Sequence, residues 1–297
     1  MKPLAGSIYH LPETGGGGYM LDIASFSGVF AFANQKGGVG KTTTAVSLAA
    51  CLADEGVETL IVDFDPQGNA STGVGIDRRS VKVGSYEVLA GVDPMEGVRA
   101  TEIERLSVLP STIDLAGAEI ELVSAFARES KLRTVLAPLR ERYHAILIDS
   151  PPSLGLLTVN ALVAADAVVV PIQCEYYALE GLGQLVRTLE LVRDGLNPTL
   201  SIAGVVLTMY DARTRLAEQV VAEVRRHFGE DVFRTVIPRS VRLSEAPGFG
   251  KPITRYDPTT RGAQAYRDLA KEFIDRWNAT RARAGQNQDP ARDAGKE

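Results

Sequence analysis

Three features of this 297-residue chain predict an α/β fold, a three-layer sandwich with a mostly parallel, twisted central sheet flanked by helices. From Val29 onward, apolar β-type runs alternate with helical patterns, the signature of parallel βαβ units. Most of those runs are continuously apolar rather than alternating, as in strands covered on both faces. The first of them, Gly28-Val-Phe-Ala-Phe-Ala33, leads straight into a glycine-rich turn and then an amphipathic run from Thr42 to Leu52.

Taken in order, the apolar runs predict strands at 28–34, 59–64, 105–109, 144–149, 167–172, 202–208 and 233–237. Between them the 3.6-residue pattern predicts helices at 42–55, 114–127, 129–142, 156–164, 180–195, 214–228 and 260–279. No repeat, linker or break in composition divides 28–280, which reads as one domain. Residues 1–27 carry Pro3, Pro12 and the Gly15–Gly18 run with weak periodicity, and read as a flexible leader. Met20 is an alternative start. The stretch 281–297 is rich in Arg, Asp, Gly and Gln and reads as a disordered tail. It has no apolar face for a membrane-surface helix.

Composition excludes several classes. A net charge of −5 gives no whole-chain nucleic-acid signature, so any DNA contact must rest on a local patch. Cys51 and Cys174 lie far apart in apolar segments, which fits buried thiols in a reducing compartment and rules out a Cys-rich zinc site. His10, His144 and His227 show no metal-ligand spacing. No apolar run reaches the ~18 residues of a membrane span. The N-terminus lacks the charged-then-apolar plan of a signal peptide, so a cytoplasmic protein is expected.

The stretch Asn34-Gln35-Lys36-Gly37-Gly38-Val39-Gly40-Lys41-Thr42-Thr43 carries the clearest chemistry. Strand, glycine-rich turn and helix are what a phosphate-binding loop needs, making the fold P-loop NTPase-like. Backbone N–H groups of the turn and of the helix N-terminus form a concave site for anionic oxygens. Lys41 can then reach the β- and γ-phosphates, and the Thr42 hydroxyl can ligate Mg²⁺. The strict pattern G-x-x-x-x-G-K-[ST] fails by one residue, since Gln35 occupies the first Gly position, and Lys36 is an additional lysine. A glycine-rich turn without a binding role does not account for three glycines, two lysines and a hydroxyl so close together.

Two further strand ends carry carboxylates. Leu60-Ile-Val-Asp63-Phe-Asp65-Pro-Gln-Gly-Asn69 places two carboxylates two apart, pointing the same way, at the edge where open α/β sheets bind ligands. Phosphoryl transfer to water needs a group that orients the attacking water, and Asp65 is the candidate for that role. Asp63 would support the Mg²⁺ shell or the loop. By pattern alone, Asp65 reads equally as the cap of a simple turn. Ala145-Ile-Leu-Ile-Asp149, followed by Ser150-Pro-Pro-Ser153, has the Walker B arrangement of an apolar strand ending in a carboxylate near Mg²⁺. Many buried strands also end in an Asp that caps the next helix.

Together, K-G-G-V-G-K-T-T, V-D-F-D-P-Q-G-N and I-D-S-P-P-S resemble the deviant Walker A ATPases, and within them the ParA/Soj partitioning proteins. Glu175-Tyr-Tyr-Ala-Leu-Glu-Gly181, Leu207-Thr-Met-Tyr-Asp-Ala-Arg213 and Val236-Ile-Pro-Arg-Ser-Val-Arg-Leu-Ser-Glu-Ala-Pro247 extend the match, which runs from about Val29 to Phe273. The resemblance implies an ATP-driven homodimer with ATP and Mg²⁺ as cofactors. It implies that Lys36 reaches into the partner's nucleotide site while Lys41 and Thr42 serve their own, and that Met209 and Pro238 lie near the adenine.

Between Val232 and Tyr256 stand five basic residues (Arg234, Arg239, Arg242, Lys251, Arg255) and one acid, Glu245. Arg213 and Arg215 follow the sixth expected strand. Arginines clustered without a recognition-helix pattern point to phosphate contacts that do not read sequence. Charge alone favours a salt-bridged face, because the neighbouring helices carry Glu218, Glu223, Asp268 and Glu272. The family resemblance reverses that preference, with Arg213, Arg239, Arg242, Lys251 and Arg255 as candidates for nonspecific double-stranded DNA. Two copies joined in a dimer would supply avidity.

The resemblance therefore implies a nucleoid-associated partitioning ATPase stimulated by a ParB-like centromere-binding protein, with slow intrinsic turnover. A MinD-like membrane-positioning ATPase is the alternative, but 281–297 lacks its amphipathic anchor. An electron-transfer ATPase like the nitrogenase iron protein would need cysteines placed elsewhere. A DNA-binding regulator that uses ATP only as a switch has no use for Asp65. The 27-residue leader is too short for the operator-binding helix-turn-helix domain of long ParA proteins.

Overall fold

The computed structural model describes residues 21–175 and 182–287. Its strands are β1 (Gly28–Phe32), β2 (Thr59–Asp63), β3 (Arg99–Ala100), β4 (Leu106–Leu109), β5 (Ala145–Asp149), β6 (Ala167–Gln173), β7 (Ser201–Tyr210) and β8 (Val232–Pro238). The helices are α1 (Lys41–Asp54), α2 (Asn69–Gly73), α3 (Ser85–Leu89), α4 (Pro94–Gly97), α5 (Leu115–Leu122), α6 (Lys131–Leu136), α7 (Leu156–Ala164), α8 (Leu182–Gly195), α9 (Arg215–Phe228), α10 (Val241–Glu245), α11 (Ile253–Tyr256) and α12 (Arg261–Asn287). The strands form one sheet in the order β3-β4-β2-β5-β1-β6-β7-β8. Every pairing is parallel except that of β3 with β4.

Alternation along β1 shows how one strand serves two cores. Val29 and Ala31 point into the cluster closed by α5 to α9, whereas Phe30 and Phe32 point into the cluster closed by α1 and α12. Residues buried on both sides need no polar face, and this explains the continuous apolar runs. The strand order places β1 between β5 and β6. The chain leaves β1 for β2 on one side, and the later crossover from β5 passes β1 to reach β6 on the other; in open α/β sheets such a switch point opens a crevice at the carboxyl ends of the strands.

Each expected strand has a counterpart, and the differences lie in short or terminal elements. The two-residue antiparallel edge β3 and the short helices α2, α3, α4, α10 and α11 were not expected, being too brief to show a period. The helix expected at 114–127 stops at Leu122, and Ala127 adopts a left-handed φ of 51°. The helix expected at 129–142 splits into 3-10 turns around α6, since Pro138 cannot donate to a continuing helix.

The domain ends also need correction. Residues 21–27 are bound to the fold rather than forming a flexible leader. Phe26 is fully buried, stacks on Phe30 and meets Phe273 edge-on. Trp277 Nε1 donates to the Ser27 carbonyl at 2.8 Å, and Asn278 Nδ2 to the Asp22 carbonyl at 2.6 Å. Helix α12 continues to Asn287, so 281–287 do not belong to a disordered tail. One cause is that Arg281 reaches back to the Ser27 carbonyl, 3.0 Å away. The remainder of both expectations, and the Tyr176–Gly181 part of one motif, fall outside the described residues.

Candidate nucleotide site

Three strands of the central sheet end at one level. Phe32 of β1 is in register with Asp149 of β5, and Asp149 is in register with Asp63 of β2. The glycine-rich turn starts two residues beyond Phe32. Gly38 and Gly40 take left-handed φ angles of 74° and 85°, so a side chain at either position would strain the turn. Gly40 is also the N-cap of α1, which aims the first helical N–H groups into the turn. Gly37, Gly38, Val39, Gly40, Lys41, Thr42 and Thr43 thus lie together in one turn and the first turn of a helix, a placement whose backbone N–H groups suit an anion.

Neighbouring strands hold this loop in place. Thr208 Oγ1 lies 2.8 Å from the Val39 carbonyl and 3.2 Å from that of Ile172, tying the loop to β7 and β6. Asn34 Nδ2 donates to the Pro171 carbonyl at 2.7 Å, while its Oδ1 accepts from Lys36 N–H at 3.0 Å. Ser150 Oγ donates to the Phe32 carbonyl at 2.6 Å. Sequence reasoning gave no role to Thr208 or Asn34. The one available signal was a polar residue at the end of an apolar run.

Lys41 is 6 % exposed, and its Nζ donates to the Lys36 carbonyl at 3.3 Å. Burial pushes its pKa down, an effect opposed by the charges of Asp149 and Asp65. The ammonium is thus desolvated and lies within the field of two carboxylates. The half-buried Lys36 sits at the start of the same loop, where its carbonyl is the acceptor for Lys41.

The carboxylates divide by their partners. Asp63 Oδ2 accepts from Ser71 N–H at 2.7 Å and from Ser71 Oγ at 2.6 Å, and Oδ1 accepts from Asp65 N–H at 3.4 Å. Burial raises its pKa to about 6 despite these bonds. Its contacts are those of a residue that holds the loop after β2. Asp65, 6 % exposed, accepts from Gln67 N–H at 2.9 Å through Oδ1 and also caps its own turn. Both readings of Asp65 can hold together, since Oδ2 takes no part in that bond.

Asp149 is different. Both oxygens are fully buried without a hydrogen-bond partner. Burial, then the charge of Asp63, push its pKa well up; Thr42 and Lys41 oppose the rise, although Thr42 does not reach hydrogen-bond geometry. An orphaned carboxylate beside a hydroxyl and a phosphate-binding loop has the donor chemistry that Mg²⁺ requires. The residues present fit the cation.

Met209 and Pro238 are brought to adjacent strand ends. The β7–β8 register shifts between Leu207 and Tyr210, and Met209 there has a left-handed φ of 53°. Non-glycine residues hold such strain where function or packing over-determines it. Tyr210 pairs with Pro238, and Arg239 N–H donates to the Tyr210 carbonyl at 2.9 Å.

Four of the five basic candidates, the arginines, are paired rather than free. Arg213 forms a fork with Asp211 at 2.9 and 2.7 Å, which holds Asp211 down at a pKa of about 2. Arg239 meets Glu175 at 2.6 Å, Arg242 meets Glu245 at 2.9 Å and Asp257 at 3.7 Å, and Arg255 meets Asp54. Most of these acids lie outside the 232–256 segment, and none is one of the helix acids expected as partners. Lys251 makes no ion pair among the described residues. Arg213 and Arg239 share the field of Asp211, whereas Arg242 sits on α10 and Arg255 against the end of α1.

Comparison with known proteins bears on this geometry. A family profile described as an AAA domain matches residues 27–202. The sporulation initiation inhibitor protein Soj of Bacillus subtilis is 57% identical over 245 residues, covering 82% of this chain and 97% of that protein. The chromosome partitioning protein ParA of Caulobacter vibrioides is 54% identical over 259 residues, covering 86% and 97%. The chain belongs to the ParA/Soj family of chromosome-partitioning ATPases. Among solved structures, one described as cobyrinic acid a,c-diamide synthase from Mycobacterium smegmatis, with bound ATP analog and magnesium, is similar. It has a TM-score of 0.76 and 39% identity, covering 86% of this chain and 97% of that one. The cell division ATPase MinD of Pyrococcus furiosus is more distant, at TM-score 0.68 and 27% identity, covering 83% and 98%. Membership of the ParA/Soj family makes the chain an ATPase of DNA partitioning. Among the described residues, no helix is long and apolar enough to cross a membrane.

Proposed function

We propose that the chain is an ATP-operated dimerisation switch that binds DNA without sequence preference and is reset by hydrolysis. The observation that carries this reading is the buried, unpartnered Asp149 carboxylate beside Lys41 and Thr42. In this reading the 37–43 loop and Lys41 bind the ATP phosphates, with Met209 and Pro238 beside the base. Thr42 and Asp149 hold Mg²⁺, and Asp63 stands behind them holding the loop. Mg²⁺, when bound, neutralises charge on the β- and γ-phosphates.

Asp65 Oδ2 orients the water that attacks the γ-phosphate, and Lys36 reaches a second copy's nucleotide. ATP thereby joins two subunits, and loss of the γ-phosphate lets them part. The backbone of Gly75, beyond α2, lies close enough to Gly250, beyond α10, that a Cβ added to Gly250 would be 3.1 Å from the Gly75 Cα. Movement in the loop after Asp65 therefore presses on the segment carrying Arg242, Lys251 and Arg255. The exposed ion pairs of Arg213, Arg239, Arg242 and Arg255 are weak contacts in water, so DNA phosphates can replace their acids at little cost. A ParB-like protein bound at the centromere is the expected stimulator, and the nucleoid the expected location.

The test uses two variants in parallel. Asp65→Ala is expected to bind ATP, fail to hydrolyse it and remain dimeric on light scattering. Lys36→Ala is expected to bind ATP and remain monomeric. A monomeric Asp65→Ala with saturating ATP, or a Lys36→Ala that dimerises normally, contradicts the switch.

A further inference from the structure

Arg78 lies thirteen positions beyond Asp65, outside every motif that marks the nucleotide site, yet its guanidinium grips the turn that Asp65 begins. Nη2 donates to the Pro66 carbonyl at 2.8 Å, Nη1 donates to the Gln67 carbonyl, and Nε donates to the Ser111 carbonyl at 3.2 Å. One planar fork thus ties the 66–67 turn to the residue that follows β4 and Pro110. Gly68, at a left-handed φ of 61°, lies flat under the same group; a Cβ there would fall far inside contact distance of Arg78 Nε and Cζ.

The connection to Asp65 runs through a single peptide group. The unit joining Pro66 to Gln67 presents its C=O to Arg78 and its N–H to Asp65 Oδ1, at 2.9 Å. In a trans peptide these two groups point in opposite directions and cannot turn independently. Fixing the oxygen from one side therefore fixes the direction of the N–H on the other. Polarisation of the carbonyl by a cation also strengthens the bond that its N–H donates. With Oδ1 held this way, Oδ2 has one orientation to offer the nucleotide edge. Ordering by a rigid fork is a task that lysine, a single flexible ammonium, performs poorly.

We propose that Arg78 is a positioning residue for the ATPase reaction, holding the Asp65 carboxylate in its water-orienting pose through the Pro66–Gln67 peptide. This rests on the assignment of Asp65 made above. Arg78 touches neither nucleotide nor metal in this scheme, so it acts on turnover and not on affinity. Misplacement of a reacting group by about 1 Å costs on the order of 100-fold in rate; because Gln67 N–H can still bond Asp65 without Arg78, though no longer held in direction, a smaller loss of about tenfold is expected.

The experiment compares wild type, Arg78→Ala, Arg78→Lys, Gly68→Ala and Asp65→Ala in single-turnover ATP hydrolysis, alongside ATP affinity and melting temperature. Arg78→Ala is expected to lose about tenfold in rate with ATP affinity within about twofold of wild type. Arg78→Lys should lie between the two, and Gly68→Ala, whose methyl group displaces the guanidinium, should match Arg78→Ala. Added guanidinium ion at non-denaturing concentration should restore part of the rate to Arg78→Ala and none to Asp65→Ala, a response that a purely structural role does not give. Hydrolysis at the wild-type rate in Arg78→Ala, with Asp65→Ala inactive, overturns the proposal alone; an Asp65→Ala that hydrolyses normally overturns the assignment on which it rests. Should Arg78→Ala fail to fold, Arg78→Lys decides: a wild-type rate there refutes a role for the fork, and a reduced rate at unchanged affinity supports it.

Discussion

Replacing Asp149 by Asn removes a charge while keeping the side chain's shape, and the consequence can be worked from its surroundings. Asp63, beside it in register, has its pKa raised from 3.8 to about 6 by burial even with its hydrogen bonds to Ser71. A shift of that size corresponds to about 3 kcal/mol at ~1.4 kcal/mol per unit. Asp149 lacks any hydrogen-bond partner and is pushed up by burial and then by the charge of Asp63, so its ionisation also costs the fold stability. The sign follows from proton counting. With the folded pKa above the unfolded one, the folded state binds more protons in the window between them, and stability falls as pH rises through it. Wild type therefore carries the cost at pH 8 and sheds it as the pH falls toward 3.8, whereas Asp149→Asn carries none at either end. A buried amide has its own penalty, but that penalty does not change with pH. In Mg²⁺- and nucleotide-free protein, the melting temperature of Asp149→Asn minus that of wild type should be larger at pH 8 than at pH 5, growing by about 3 °C for each pH unit crossed below the folded pKa, from ~1.4 kcal/mol per unit and ~2 °C per kcal/mol for a domain of this size. Adding Mg²⁺ and ATP at ~100 times the dissociation constant should stabilise wild type by about 2.7 kcal/mol and the variant by clearly less. A pH-independent difference between the two proteins, or equal stabilisation by Mg²⁺ and ATP, would refute the reading of Asp149 as a cation ligand.

The loop and the basic surface are tested separately. Lys41→Ala should abolish ATP binding in an isothermal titration, and unchanged affinity would remove the loop assignment. Thr208→Val keeps the shape and deletes the bonds to the Val39 and Ile172 carbonyls; ATP affinity should fall several-fold, by the ~1 kcal/mol typical of a lost hydrogen bond. Arg242→Ala should weaken DNA binding by the same factor on unrelated duplexes and reduce its salt dependence while sparing basal ATPase activity. A loss confined to particular sequences would contradict phosphate contacts.

The parts legible in sequence are those whose physics is local. The strands were visible because continuous apolar runs mean burial on both faces, and the phosphate loop because its glycines answer a backbone demand that Gly38 and Gly40 do make, at φ angles of 74° and 85°. What escaped was set by distant partners. Neither the ion pair of Arg255 with Asp54 nor the clasp of Thr208 on Val39 leaves a trace in spacing. Phe26 lay in a stretch dominated by prolines and glycines, which hid that it packs against Phe273. Arg78 is one of two adjacent arginines in Asp77-Arg-Arg-Ser80, and only the fold brings it to the turn after Asp65. The sequence assigned Asp65 to the water and left Asp63 between the Mg²⁺ shell and the loop, and the two bonds that Ser71 gives to Asp63 are what turn the choice toward the loop.

The central claim, that ATP turns this chain into a nonspecific DNA binder, is tested most directly by mobility shift of a duplex of arbitrary sequence. The protein is incubated with ATP and Mg²⁺, with ADP and Mg²⁺, and without nucleotide, each at about 50 and about 200 mM salt. Binding is predicted with ATP alone, weakening steeply at the higher salt as released counterions predict. Binding of equal strength in all three nucleotide conditions, or none with ATP at the lower salt, would contradict it.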